Sequence, residues 1–236
     1  MRRVAVALLI GLAWLAPAGA VSLEAILADK PPSMLSAFGF FADPGGNRPV
    51  AGVMRYEMAT PLFTDHALKA RYVFVPPREQ AAWSDAEVFA FPVGSALVKT
   101  FSYPADLREP GLGVRHVETR VLVHRADGWA AFAYVWNAEQ TDAALKLAGA
   151  KLPMSFVGAD GKPVAFTYAV PNRNQCKGCH AVGADVSPIG PKARNINRVA
   201  DHGAGPANQI AEWIAAGILS GAPDPAAAPA VPDWRD

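Results

Sequence analysis

A single motif constrains this chain more than any other feature. The only two cysteines among the 236 residues are Cys176 and Cys179, and His180 follows directly. Residues three and four apart on a helix share one face, so both thiols and the imidazole would meet on one small patch. This C-x-x-C-H spacing is typical of a c-type haem, which is held by two thioethers and a histidine on iron. The fold must then cover a large, flat, apolar group.

Two other readings of the cysteine pair are weaker. A thioredoxin-like dithiol needs a β-α-β unit around the motif, and no such pattern precedes Cys176. Half of a zinc site needs a second Cys or His pair with ligand spacing, and none follows His180. The pattern therefore favours covalent haem.

The segment after the motif carries further candidate haem contacts. Gly190 and Pro191 follow, with Pro191 eleven residues past His180. This pair resembles the Gly-Pro loop of ordinary cytochromes c, in which the proline carbonyl accepts the N–H of the iron-binding histidine. Lys192 and Arg194 are candidates to bind the haem propionates, since these carboxylates need cationic donors.

The first twenty residues read as a secretory signal. Arg2 and Arg3 precede an apolar run over residues 4–15, and small residues follow at positions 18–20. The run is short for a bilayer span, so no membrane span is expected once the signal is removed. Removal changes the formal charge from +1 to −1. This near-neutral balance gives no reason to expect nucleic-acid binding, and the signal predicts a periplasmic protein.

The remaining sequence predicts a mainly β protein with a small α part. We expect an N-terminal helix and loop over 21–55, then a β-rich domain over 56–170. The clearest hairpin turns at 126–128, and another turns at Asp160-Gly161, where glycine permits a positive φ. About seven short strands with tight turns argue for an antiparallel sandwich.

The strand over 114–125 places Glu118, Arg120, Leu122 and His124 on one face. The opposite face is apolar and predicts core, whereas this polar face is either solvent-exposed or lines a site. Several charged residues interrupt the apolar strands, and we interpret them as ion pairs that hold strands together. They are Asp65, Lys69, Arg71, Lys99, Glu118 and Arg120.

A short helical haem segment over 171–221 is expected to pack on the β domain. Pro206 is predicted to open its last helix, whose apolar stripe would cover the haem helix. The Ala/Pro-rich residues 222–236 predict a disordered tail or a linker.

Long runs of this chain resemble one bacterial family, and they occur in the same order. The runs include PLFTDHALKARYVFVP, FPVGSALVKTF, VPNRNQCKGCH and NQIAEWIAAGILSGAP. The family consists of exported proteins described as di-haem c-type cytochromes of unassigned role, with a β-rich domain ahead of the first haem motif. The resemblance implies one haem c on Cys176, Cys179 and His180. Because the chain has one such motif, it looks like a single-haem version that lacks the second haem domain.

The far side of the iron needs its own ligand. Ordinary monohaem cytochromes c use a methionine after the motif, but every methionine here precedes Cys176. We predict His124 as the sixth ligand, because Glu118 on the same strand face could orient its ring. His202 is the alternative, although its loop also suits simple solvent exposure.

These features predict a periplasmic monohaem cytochrome that carries single electrons between redox partners of unknown identity. Two alternatives remain open. One is a haem enzyme, for example peroxidase-like, in which the iron keeps an open site. The other is a binding or sensing module that reports redox state or a gas.

Overall fold

The computed structural model describes residues 19–182 and 185–234. The signal sequence expected over 1–20 lies outside them except for its last two residues. Four short α-helices are present in the described part: α1 (Leu23–Leu27), α2 (Arg173–His180), α3 (Ala193–Ile196) and α4 (Gln209–Ala215). A 3-10 turn spans Leu35–Phe38. None of these helices is long and apolar enough to cross a membrane.

Six strands form the central antiparallel sheet, in the order β1-β2-β4-β5-β6-β7. They are β1 (Val53–Tyr56), β2 (Leu68–Phe74), β4 (Ala96–Tyr103), β5 (Arg115–Arg125), β6 (Gly128–Trp136) and β7 (Ala143–Leu145). Only β3 (Ala81–Ala82) leaves this meander, to pair in parallel with β14 (Leu219–Ser220). The turn between β5 and β6 is tight, with Gly128 at a φ of +109°.

A two-stranded hairpin forms the second β layer. It consists of β8 (Ala150–Val157) and β9 (Pro163–Val170), and Gly161 in its turn has a φ of +77°. Three further pairs are short: β10 (Ala181–Val182) with β11 (Asp185–Val186), β12 (Val199–Asp201) with β13 (Pro206–Asn208), and the β3–β14 pair. The prediction of a mainly β, antiparallel protein with a small α part is therefore confirmed.

One face of the sheet is covered by the N-terminal segment. Ile26, Leu35 and Phe38 from this segment pack in one cluster with Val121 and Tyr134 of β5 and β6. Ser22 caps α1 by accepting the N–H of Ala25 at 3.1 Å. The region expected as an N-terminal helix and loop is thus a layer of the core.

The opposite face has two separate apolar covers. The hairpin covers one end, where Phe156 and Tyr168 cluster with Tyr103 of β4. The C-terminal elements cover the other end, where Trp213 of α4 clusters with Leu122 of β5. Between them lies a strip that neither apolar cluster includes, and the polar face predicted for β5 lines it.

Two details of the C-terminal region differ from the sequence predictions. Pro206 does not open a helix, because residues 206–208 pair with β12. Helix α4 begins at Gln209, and the Asn208 side chain caps it by accepting the N–H groups of Ile210 and Ala211. The prediction of a disordered tail is also wrong for residues 222–234. The N–H of Trp234 donates to the Ala59 carbonyl at 2.9 Å, and other backbone and side-chain bonds hold the segment in place.

Candidate functional site

The motif helix α2 follows β9 after two residues and lies against β6. Asn172 caps its start, since its Oδ1 accepts the N–H of Gln175 while the Gln175 Oε1 accepts the N–H of Asn172, both at 2.9 Å. Cys176 and Cys179 are on this helix at the predicted spacing, and His180 is its last residue. The two cysteine side chains lie outside the described part.

A backbone carbonyl orients the His180 imidazole. The Nδ1 atom of this half-buried ring lies 3.2 Å from the Ser187 carbonyl oxygen. The Pro191 carbonyl, expected in that role, instead accepts the N–H of Phe89 at 3.4 Å. Burial lowers the pKa of His180, opposed by the Ser187 contact and reinforced by the positive charges of Lys99 and Arg120.

Those two cations belong to a line of three that crosses the sheet. Arg71 on β2 is opposite Lys99 on β4, and Lys99 is opposite Arg120 on β5. We call Arg71, Lys99 and Arg120 the cationic row. It lies on the strip between the two apolar covers. The motif histidine lies near it, because Val186, next to the Ser187 that contacts His180, packs on the apolar cluster that includes Leu122, two residues from Arg120 on the same face of β5.

Only one member of the row is matched by a carboxylate. Glu118, which is fully buried, accepts the Arg120 Nε and Nη2 donors at 2.7 and 2.9 Å. The Tyr168 hydroxyl donates to the same carboxylate at 2.6 Å. The row therefore has three cations and one matching carboxylate. Because Glu118 and Arg120 are both on β5, their ion pair does not join two strands, as the sequence led us to expect.

Arg71 and Lys99 have no such partner. Among residues 19–182 and 185–234 the structure gives neither side chain a hydrogen-bond acceptor or a carboxylate within ion-pair distance. Arg71 is only 9 % exposed, and Lys99 is half-buried with its Nζ 4.7 Å from the centroid of the Phe101 ring. Nearby Lys69 donates to the Leu62 carbonyl. A buried cation without a partner is costly, so this strip favours an anionic ligand.

The pKa of Lys99 reflects the cost of burying this charge. Burial lowers the pKa of Lys99 to about 7, and the neighbouring charges of Arg71, Arg120 and Lys69 lower it further than Glu118 can restore. Burial likewise lowers the pKa of Arg71, and the nearby Tyr56 and Glu57 oppose this effect only in part. A carboxylate placed between these side chains would restore both pKa values towards their ordinary range.

The two cations that sequence reasoning selected for the propionates are engaged elsewhere. The Lys192 Nζ forms an ion pair with the Glu87 Oε2 at 2.9 Å. The Arg194 Nη1 donates to the Ala86 carbonyl at 3.0 Å. Both side chains therefore attach α3 and its preceding residue to the segment around residues 86–87.

The two candidate sixth ligands occupy different environments. His124 is on the same sheet face as Arg120, with its Nδ1 2.8 Å from the Phe91 carbonyl oxygen and its ring stacked on Trp129 at 4.7 Å. His202 lies beyond the end of β12, where its Nε2 is 3.3 Å from the Gln209 Oε1. It is half-buried rather than solvent-exposed.

The cationic row is the part of the site that sequence reasoning missed. Its signal was present, because cations interrupt apolar strands at positions that pair across β2, β4 and β5. Register between strands was needed to see that they form one line.

In the described residues, no group of three or more His, Cys, Asp or Glu side chains is arranged to hold a metal ion. Comparisons with protein-family models, curated proteins and solved structures found no match for this chain.

Proposed function

We propose that this protein is a periplasmic monohaem c-type cytochrome that carries single electrons between redox partners. The observation that carries the proposal is the motif helix, on which Cys176 and Cys179 stand three residues apart and His180 is oriented by a backbone carbonyl. These are the residue types and the spacing that covalent haem attachment requires.

The residues around the motif fit this group. A haem carries two carboxylates on one edge, and the strip beside His180 has cations that lack partners in the described part of the chain. Apolar side chains lie beside the strip, and the largely hydrocarbon ring of a haem needs such contacts because it must leave water. The hairpin and the C-terminal elements supply apolar side chains on both sides of the strip.

The chain itself would contribute orientation and exclusion of water. The contact from Ser187 favours the tautomer with a proton on the His180 Nδ1, so that Nε2 keeps its lone pair for a metal. The apolar clusters lower the local polarity, which affects the reduction potential. The haem, when bound, supplies the one-electron chemistry. Electron transfer needs no further catalytic group from the protein.

Denaturing gel electrophoresis with haem staining tests the proposal, because thioether-bound haem remains on the unfolded chain. We expect a stained band for the full chain expressed with a cytochrome c maturation system. The double variant Cys176→Ala/Cys179→Ala should lose the stain, and Lys192→Gln should keep it. An unstained wild-type chain would refute the proposal.

A second measurement separates an electron carrier from a catalyst or gas sensor. The absorption spectrum of the reduced protein should be low-spin and unchanged by carbon monoxide, since a carrier keeps both axial positions filled. A spectrum that shifts with the gas would favour an open iron and the enzyme or sensor function. Fractionation of the expressing cells should place the haem-stained band in the periplasm.

A further inference from the structure

We propose that Arg71 and Lys99 bind the two haem propionate carboxylates, one cation to each. This assignment rests on the proposed function and names the residues that hold the acidic edge of its haem. It replaces Lys192 and Arg194, which the sequence suggested for the same task.

The first step is a balance of charges on the strip. Arg120 is neutralised by Glu118 through two short hydrogen bonds. Lys69 is bound to a backbone carbonyl at its edge. Arg71 and Lys99 remain without a carboxylate at ion-pair distance in the described part of the chain, and the more distant Glu57 charge acts on Arg71. The haem would bring two carboxylates to these two cations. Glu118 and the two propionates would together match the three cations of the row.

The second step is the chemistry of each cation. The guanidinium of Arg71 presents a planar set of donors that can bind both oxygens of one carboxylate. Lys99 is a compact charge on a flexible stem, and its ammonium lies over the ring of Phe101. Because they are opposite each other on β2 and β4, the two can receive carboxylates from one molecule.

The third step is position relative to the motif. Val186, next to the Ser187 that contacts His180, packs on the cluster that includes Leu122, two residues along β5 from Arg120, so the row is near the expected iron ligand. The Lys192 ammonium is instead paired with an exposed carboxylate, Glu87. Binding propionates at Lys192 would require that ion pair to break, whereas binding at Lys99 satisfies a cation that has no partner among the described residues.

Carbodiimide cross-linking tests the assignment on the wild-type holoprotein. This reagent activates a carboxylate so that an amine in contact with it forms an amide, and the carbodiimide takes up the elements of water and leaves as a urea. Because the haem stays on its peptide through the thioethers, mass spectrometry can identify the lysine to which a propionate becomes linked. We expect the haem peptide to be joined to the peptide that contains Lys99. The Lys192–Glu87 pair is an internal positive control for the reaction.

Matched variants supply a second readout. Lys99→Arg keeps the charge but offers no amine, so we expect haem to be retained, the cross-link to disappear and the midpoint potential to stay near that of wild type. Lys99→Gln removes a positive charge near the iron, so reduction should become less favourable by about tenfold, about 59 mV for a one-electron couple. Lys192→Gln should leave the potential unchanged.

The outcomes distinguish this inference from the function on which it rests. A haem-stained protein whose haem peptide links to Lys192, or to no lysine while Lys192 links to Glu87, overturns the inference and leaves the proposed function intact. A low-spin wild type that becomes high-spin in Lys99→Arg also overturns it, because Lys99 would then be an iron ligand. A chain without covalent haem overturns both.

Discussion

The hydroxyl of Tyr168 offers a sharp test of how the hairpin is attached to the sheet. It donates to the fully buried Glu118 carboxylate at 2.6 Å, and Tyr168 is only 3 % exposed. The substitution Tyr168→Phe removes one hydrogen bond and leaves the apolar ring in place. A hydrogen bond to a charged group contributes about 1.5–3 kcal/mol. Because Arg120 still binds the carboxylate, we expect a loss of about 2 kcal/mol in the free energy of unfolding.

Tyr103 provides a matched control in the same cluster. It is equally buried, its ring contacts that of Tyr168, and its hydroxyl has no hydrogen-bond partner in the described part of the chain. Tyr103→Phe removes a buried hydroxyl that makes no bond, so stability should be unchanged or slightly higher. Urea unfolding followed by far-UV circular dichroism measures both variants. Equal losses for the two variants, or a loss below about 0.5 kcal/mol for Tyr168→Phe, would refute the reasoning.

Three further predictions concern other parts of the molecule. His124→Ala is expected to change a low-spin haem centre to high-spin while His202→Ala does not; magnetic circular dichroism distinguishes them, and the reverse pattern would make His202 the sixth ligand. Burial lowers the pKa of His116 below its ordinary 6.5, so the unfolded chain binds more protons in acid than the folded chain does. The contribution of His116 to the free energy of unfolding is therefore fully present above pH 6.5 and is lost as the pH falls through the folded pKa. Urea unfolding should detect this loss in wild type and not in His116→Gln. Asp233→Ala removes the acceptor 2.6 Å from the Arg198 Nη1 and should cost about 1.5 kcal/mol in the free energy of unfolding, whereas thermal unfolding would show no change if the C-terminal segment were loosely attached.

The strands were predictable because their signals are local. The alternation over residues 114–125 and the glycines at 128 and 161 determine which residues pair and where the chain turns, and the structure agrees on both hairpins. The capping of α2 by Asn172 is equally local. Each of these depends on residues within a few positions of one another.

The features that were missed depend on contacts between distant residues. The cationic row needs the register of three strands, and no single strand contains more than one of its members. The C-terminal segment reads as disordered from its composition, yet the Asn197 side chain donates to carbonyls in it and Ala228 is buried. The contact of His180 with the Ser187 carbonyl, where the Pro191 carbonyl was expected, likewise depends on how the loop after α2 folds back.

The parallel pairing of β3 with β14 has a consequence for the order of folding. Residues 81–82 can pair only after residues 219–220 have reached them, whereas each strand of the central sheet pairs with a strand close to it in sequence. Contacts between near neighbours form early, and distant closure comes late. As the chain folds, the sheet and the motif helix can therefore form before the C-terminal layer docks. The strip beside His180 would then stay accessible from that side until the C-terminal layer docks, and the haem that we propose could enter in that interval.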